Sequence, residues 1–173
     1  MMSTVVHIRE ITPDDAEAFL SLCKRLDQET RFMLLEPDER NLTPDEQRQA
    51  LENLLATGRS TIFVAEAGQS GELAGYLAIK GGTYRRERQR ATLVIGILQA
   101  FTGQGIGSRL FQVMERWARQ RGFHRLELTV MVHNQRALAL YLRQGFMIEG
   151  LRHQSLVVDG QYVDEYYMAK LLE

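Results

Sequence analysis

The sequence predicts a mixed α/β domain built on one sheet, and three observations carry that expectation. Apolar residues alternate at period two in some stretches and recur at helical spacing in others. The helical stretches open on Thr-Pro-acid or Asn and close on glycine. An Asp-Gly pair, Asp159 and Gly160, stands between two alternating runs near the C-terminus, which is the strongest hairpin signal in the chain.

The first element, "VVHIREI" (residues 5–11), alternates and reads as a strand. In "TPDDAEAFLSLCKRL", Thr12 can cap, Pro13 can take the first helical position, and Asp14 and Asp15 face the positive helix end. "TPDEQRQALENLLATG" repeats the device: Thr43 and Glu46 make a capping-box pattern around Pro44, and Gly58 supplies the stop. "TIFVAEA" and "GELAGYLAIKGG" are strands joined by a turn at Gln69, Ser70 and Gly71, and the basic turn "YRRERQR" leads to a further strand, "RATLVIGIL". Ile106, Leu110, Val113, Met114, Trp117 and Ala118 then recur at helical spacing as far as Gly122. "RLELTVMV" is a strand, "NQRALALYLRQG" a helix opened by Asn134 and closed by Gly145, and the tail holds the last two strands. No repeat, low-complexity stretch or linker interrupts this order, so residues 1–173 are expected to form a single domain.

Bulk properties narrow the class. A chain of 173 residues can bury roughly 70% of its unfolded surface without staples. With 45% hydrophobic and 25% charged residues it has the composition of a globular protein rather than a disordered one. Its 21 basic and 22 acidic residues nearly cancel, so neither nucleic acid nor an anionic membrane is an expected partner. The single cysteine, Cys23, excludes an internal disulfide and a cysteine-cluster metal site, reads as a small buried residue of the first helix, and suits a reducing compartment. No apolar stretch is long enough to span a bilayer, and "MMSTVVHIREITPDD" has neither a basic n-region nor an apolar h-region. A cytoplasmic protein with small-molecule partners is the expectation.

The segment "QAFTGQGIGSRLF" (residues 99–111) is the chemical signature. Gly103, Gly105 and Gly107 alternate between an apolar run and an amphipathic helix. Main-chain N–H groups turned one way at a helix start form an anion cradle, and side chains there would block a phosphate. A Walker A loop would need Lys directly after its last Gly, and Ser108 and Arg109 stand there instead. A dinucleotide-binding loop would need G-x-G-x-x-G directly off the strand; Ser108 replaces the third glycine, Ala100, Phe101 and Thr102 intervene, and Glu127 lies near the start of its strand.

From Thr92 to the C-terminus the chain resembles the GCN5-related N-acetyltransferases (GNAT), whose loop reads Q/R-x-x-G-x-G/A. It stands here as "TGQGIG", followed by "N..AL.LY...GF" over residues 134–146. The order of elements, with its two early helices, agrees as well, so the resemblance spans essentially the whole chain. It implies a mixed, mostly antiparallel twisted sheet of about six or seven strands flanked by about four helices. It also implies acetyl-CoA as cosubstrate and no metal. The loop, Thr102, Gly103, Gln104, Gly105, Ile106, Gly107 and Ser108, would hold the pyrophosphate. The strand at Gly96, Ile97 and Leu98 would pair with the pantetheine arm, with an N–H of Ile97 or Leu98 polarising the acetyl carbonyl. Asn134 would contact the coenzyme. Tyr141 would touch it too and protonate the leaving thiolate. Thr102 departs from the family's Arg or Gln, which weakens phosphate binding at worst, since most of those contacts are made by the backbone.

Acetyl transfer to an amine needs a positioned thioester, a neutral amine, a stabilised oxyanion and a proton for the leaving sulfur. The base is where this chain departs, because Thr92 stands where many relatives carry a carboxylate. Presenting a lysine-like amine neutral at pH 7 costs roughly 4.6 kcal/mol, and a peptide α-amine only about 1 to 1.4. A weak or water-mediated base therefore suits the second case better. Glu127, alternating with Thr129 on its strand, is the leading substitute, whereas His133 and His153 are isolated histidines beside loops.

For the acceptor, the tail resembles the branch that acetylates small amines, amino acids and polyamines, and also some ribosomal N-terminal acetyltransferases. There the loop between the first two helices and the last hairpin line the acceptor site. Here those segments supply Glu36, Asp38, Glu39 and Arg40, and Arg152, Tyr162, Asp164 and Glu165. Of these, Glu36, Arg152, Tyr162 and Asp164 are the expected contacts, and Tyr84, Tyr166 and Tyr167 are further aromatic candidates. Both charge signs together favour an amino acid over a polyamine. A protein N-terminus or polyamine is the alternative acceptor, and a non-catalytic acyl-CoA-binding module is the rival class, motivated by Thr92 and Thr102. A homodimer is possible by the same resemblance, although no apolar stripe in the sequence is plainly spare for it.

Overall fold

The computed structural model describes residues 5–173; the first four residues of the N-terminal stretch considered above lie outside it. The elements follow the expected order: β1 (Val6–Glu10), α1 (Ala16–Glu29), α2 (Pro44–Ala56), β2 (Ser60–Ala67), β3 (Glu72–Gly81), β4 (Arg90–Ile97), α3 (Ile106–Gln120), β5 (Arg125–Met131), α4 (Gln135–Arg143), β6 (Met147–Val158) and β7 (Gln161–Leu171). Local chemistry accounts for most boundaries. At α2 the box closes as expected: Glu46 N–H donates to Thr43 Oγ1 (3.2 Å) and Thr43 N–H to Glu46 Oε2 (2.8 Å). At α1 the helix begins later than Pro13, because Pro13–Asp15 forms a 3-10 turn first. Asp15 is drawn back there, accepting from both Nη atoms of Arg9 (2.8 Å each) and from Thr12 N–H (2.8 Å). The Arg9 guanidinium holds that carboxyl below its ordinary value.

All seven strands form one sheet in the order β1-β2-β3-β4-β5-β7-β6. Every neighbouring pair is antiparallel except β4 and β5. That parallel pair is short. Arg90, Ala91 and Thr92 face Arg125, Leu126 and Glu127, and pairing then stops although β4 runs on to Ile97 and β5 to Met131. The sheet opens between them like a V, toward the glycine loop.

Each face carries its own core. Leu110, Phe111, Met114 and Trp117 of α3, with Tyr141 of α4, pack over Leu93, Leu126, Leu128 and Val130. Phe19, Leu22 and Leu26 of α1, with Leu51 of α2, pack over Ile62, Val64, Tyr76 and Leu98. β6 is an edge strand, and Met147 (71%) and Val157 (60%) lie exposed near its two ends. The β6–β7 hairpin turns at Asp159 (φ 49°) and Gly160 (φ 74°), the pair of left-handed residues that such a two-residue turn requires. No helix among the described residues is long and apolar enough to cross a membrane.

Candidate active site

The loop after β4 turns outward on two left-handed glycines, Gly103 (φ 74°) and Gly105 (φ 78°), each facing open space where a side chain would stand. The first intrahelical bond of α3 is Arg109 N–H to Gly105 C=O (3.1 Å). The main-chain N–H groups of residues 103–108 have no partner among the described residues. Six adjacent free donors therefore point from the positive end of a 15-residue helix, and this cradle fits a diphosphate. Around it the side chains withdraw. Thr102 Oγ1 donates to Gln99 C=O (2.8 Å), Gln104 folds back on Ala100 C=O (3.4 Å), Arg109 reaches Val6 C=O (2.8 Å), and Ile106 is buried in the core. Gly107 serves packing instead. A Cβ there would stand 2.9 Å from Leu140 Cδ2 and 3.4 Å from Ile97 Cδ1.

On β4 the structure separates three residues that the sequence grouped. Leu98 N–H donates to Ala74 C=O (2.8 Å), its C=O accepts from Phe101 N–H (2.9 Å), and its side chain is buried, so Leu98 has no free N–H to offer. Strand alternation turns the Ile97 N–H the other way, toward the gap, and makes it the available donor. Gly96 is a glycine because of α1: a Cβ would lie 2.8 Å from Leu26 Cδ1 and 3.2 Å from Tyr76 Cε1.

Tyr141 sits in α4, 7% exposed, edge-on to Phe111 with ring centroids 5.8 Å apart. Burial raises its phenol above the ordinary value, which is already high enough to keep the proton at neutral pH. Its hydroxyl has no partner among the described residues and is not sealed from solvent. Asn134 caps α4, its Oδ1 accepting from Ala137 N–H (3.3 Å), which leaves its amide nitrogen free.

Glu127 is not a free base. Its Oε1 meets Arg90 (3.4 Å) and its Oε2 meets Arg125 (3.0 Å), while Arg125 also bonds Glu149 (2.9 Å) and Arg90 also bonds Glu87 (2.8 Å). This charge network pins the closed end of the V. Thr92, directly opposite Glu127, carries no charge.

The α1–α2 loop and the last hairpin do meet. Thr30, Arg31, Met33 and Glu36 share one small cavity of about 30 Å³ with Leu156 and Val157. Arg31 bonds Asp159 (3.2 Å), and Phe32 lies against His133 with centroids 5.1 Å apart. What anchors the loop is a contact the sequence reading missed: Asp27, its side chain 0% exposed, takes Arg40 Nε at 2.7 Å and Nη2 at 3.2 Å. Arg40 is thereby spent. Alternation along β7 sorts the tail residues. Glu165 and Tyr167 share a face with Met131 and Thr129 under the loop, whereas Tyr162, Asp164 and Tyr166 point to the other side. Tyr162 and Asp164 thus lie away from the covered face: the first is exposed on the hairpin, and the second accepts Gln154 N–H (2.7 Å). Tyr84 lies apart, on an open groove at the closed end of the V with Arg86 and Arg90. Arg152 lies on the same face as Glu165 and Tyr167, its guanidinium 5.2 Å from the Tyr167 ring centroid and one Nη 3.4 Å from Glu165.

Comparison with known proteins agrees with this fold. Residues 24–146 match the model of the acetyltransferase (GNAT) family. A crystal structure of a GNAT-family acetyltransferase from Streptococcus pneumoniae is 32% identical, covering 97% of this chain and 100% of that one, with a TM-score of 0.91. The ribosomal-protein-alanine N-acetyltransferase of Brucella melitensis is 27% identical over 96% and 99% of the two chains, with a TM-score of 0.82. The L-amino acid N-acetyltransferase AaaT of Escherichia coli (strain K12) is 33% identical over 105 residues, which span 58% of this chain and 63% of that protein.

Proposed function

Since this chain belongs to the acetyltransferase (GNAT) family, we propose that it is an acetyl-CoA-dependent N-acetyltransferase whose acceptor is a small primary amine that also carries a carboxylate, an amino acid above all. The observation that carries the acceptor reading is the pair on the covered face: Arg152, held over Tyr167 with only one long contact to Glu165. A guanidinium and a carboxylate side by side match an acceptor bearing both charges better than a polyamine bearing one. The 33% identical amino-acid acetyltransferase points the same way.

Acetyl-CoA supplies the activated acetyl group, and the chain supplies grip, aim and protons. The free N–H groups of residues 103–108 take the diphosphate, Ile97 N–H is available to polarise a carbonyl in the gap, and Asn134 borders that gap at the start of α4. Tyr141, a phenol neutral at pH 7 in any setting and raised further by burial, holds the proton that a departing thiolate needs. With Glu127 tied to two arginines, the amine's own proton leaves to water or to another group. The near-balanced charge and lone buried cysteine support a cytoplasmic setting.

Release of free CoA thiol across a panel of amino acids, polyamines and peptides with free N-termini tests this. Amino acids are expected to give the highest kcat/KM. A peptide N-terminus or a polyamine preferred by about tenfold, a 1.4 kcal/mol difference, overturns the amino-acid reading in favour of the function suggested by the ribosomal-protein relative or of polyamine acetylation.

A further inference from the structure

Beneath the α1–α2 loop two carboxylates are nearly shut off from solvent, and one has no oxygen to spare. Asp27 gives both of its oxygens to Arg40. Glu165 differs. Its Oε1 accepts the Ser155 hydroxyl (2.8 Å) and Arg152 Nη1 (3.4 Å), and its Oε2 accepts nothing from the described residues. The side chain is only 10% exposed. Yet Oε2 is not walled in, because the sealed and unpartnered side-chain atoms among the described residues are Arg59 Nε and Trp117 Nε1. A shielded carboxylate oxygen is costly to leave bare, and a cationic donor arriving from outside removes that cost.

The sheet register says where this oxygen stands. Glu165 pairs with Met131, and extending the register of Thr92 against Glu127 sets Met131 level with Gly96 across the gap. Glu165 is thus level with the Gly96–Ile97 peptide, whose N–H faces the gap. A built irregularity supports it. The β6–β7 register slips between Arg152 and Leu156, with Gln154 at φ 50° pinned by Asp164, and this bulge delivers Ser155 to Oε1.

We infer that Glu165 Oε2 seats the ammonium group of the acceptor and so sets which amines are accepted, with Arg152 beside it holding the acceptor's carboxylate. The inference rests on the small-amine reading above.

Steady-state kinetics of the wild type, Glu165→Gln and Arg152→Gln test it, using the best amino acid of the panel and its decarboxylated amine. Glu165→Gln should raise KM for both acceptors about tenfold or more and leave KM for acetyl-CoA within about twofold. Arg152→Gln should raise KM for the amino acid and lower it for the simple amine, since it removes a cation from beside the seat. Unchanged amine KM values in Glu165→Gln overturn the inference, and so does an equal rise in the acetyl-CoA KM, which marks a general loss of structure. If Glu165→Gln does not fold, Arg152→Gln decides, and shifts in the same direction for both acceptors overturn it. A wild-type protein that turns over peptide N-termini but no small amine overturns the small-amine reading and this inference with it. Turnover of small amines with an insensitive Glu165 overturns the inference alone.

Discussion

The loop at residues 103–108 offers main-chain N–H groups, whereas the face under the α1–α2 loop offers side chains brought together by strand register and one buried ion pair. On the first side most nearby side chains turn away, as Thr102, Gln104 and Arg109 do, and the chemistry belongs to the backbone. On the second side the backbone is spent in the ladder, and Asp27, Arg40, Arg152, Ser155 and Glu165 determine what is possible. A coenzyme common to a whole family suits the first kind of site, because its grip survives most substitutions. A particular acceptor suits the second, because side chains such as Arg152 can change while the ladder and the Asp27–Arg40 pair stay in place.

Three substitutions would sharpen or break this contrast. The largest effect belongs to Tyr141→Phe, where the two sides meet: kcat should fall by about 10²- to 10⁴-fold, with affinity for acetyl-CoA by calorimetry nearly unchanged. A variant of wild-type speed would mean that the phenol only packs against Phe111. Next comes Asp27→Ala, which strands Arg40 beneath the loop and should cost roughly 3 kcal/mol in urea unfolding. Paired replacement by Leu at both positions should return much of that loss. A cost near zero would show that the α1–α2 loop is not held by this ion pair. The smallest is Gly105→Ala, which forces a side chain into a left-handed conformation and should weaken acetyl-CoA binding by up to about 1–2 kcal/mol, with the amine KM unmoved. If the amine KM moved instead, the division of labour between backbone and side chains would be wrong.

The same contrast explains what could be read in advance. Caps are local, so Thr43, Glu46 and Asn134 announced their helices within four residues of sequence. The glycines of the loop were legible for a similar reason, since their conformations are set by neighbours in the chain. Even so, Gly96 and Gly107 owe their lack of a side chain to Leu26, Tyr76 and Leu140, residues no local pattern connects to them. Leu98 looked equivalent to Ile97 until its N–H was found in the β3 ladder. Glu127 carried a hint of its fate, because Arg125 lies two residues away on the same face, but Arg90 reaches it only through the parallel pairing. Asp164 and Glu165 are adjacent in sequence and opposite in space, and the choice between them required knowing which face of β7 the α1–α2 loop covers. The Asp27–Arg40 pair left no periodic or motif signal at all.

Gly107 has a consequence of its own. Its bare α-carbon is the point where the first turn of α3 rests on Leu140, the residue before the phenol, and on Ile97, the residue whose amide looks into the gap. In the mechanism proposed above, anchor, electrophile support and proton source thus rest on one shared bearing. An added methyl there would press first on Leu140 Cδ2, 2.9 Å away.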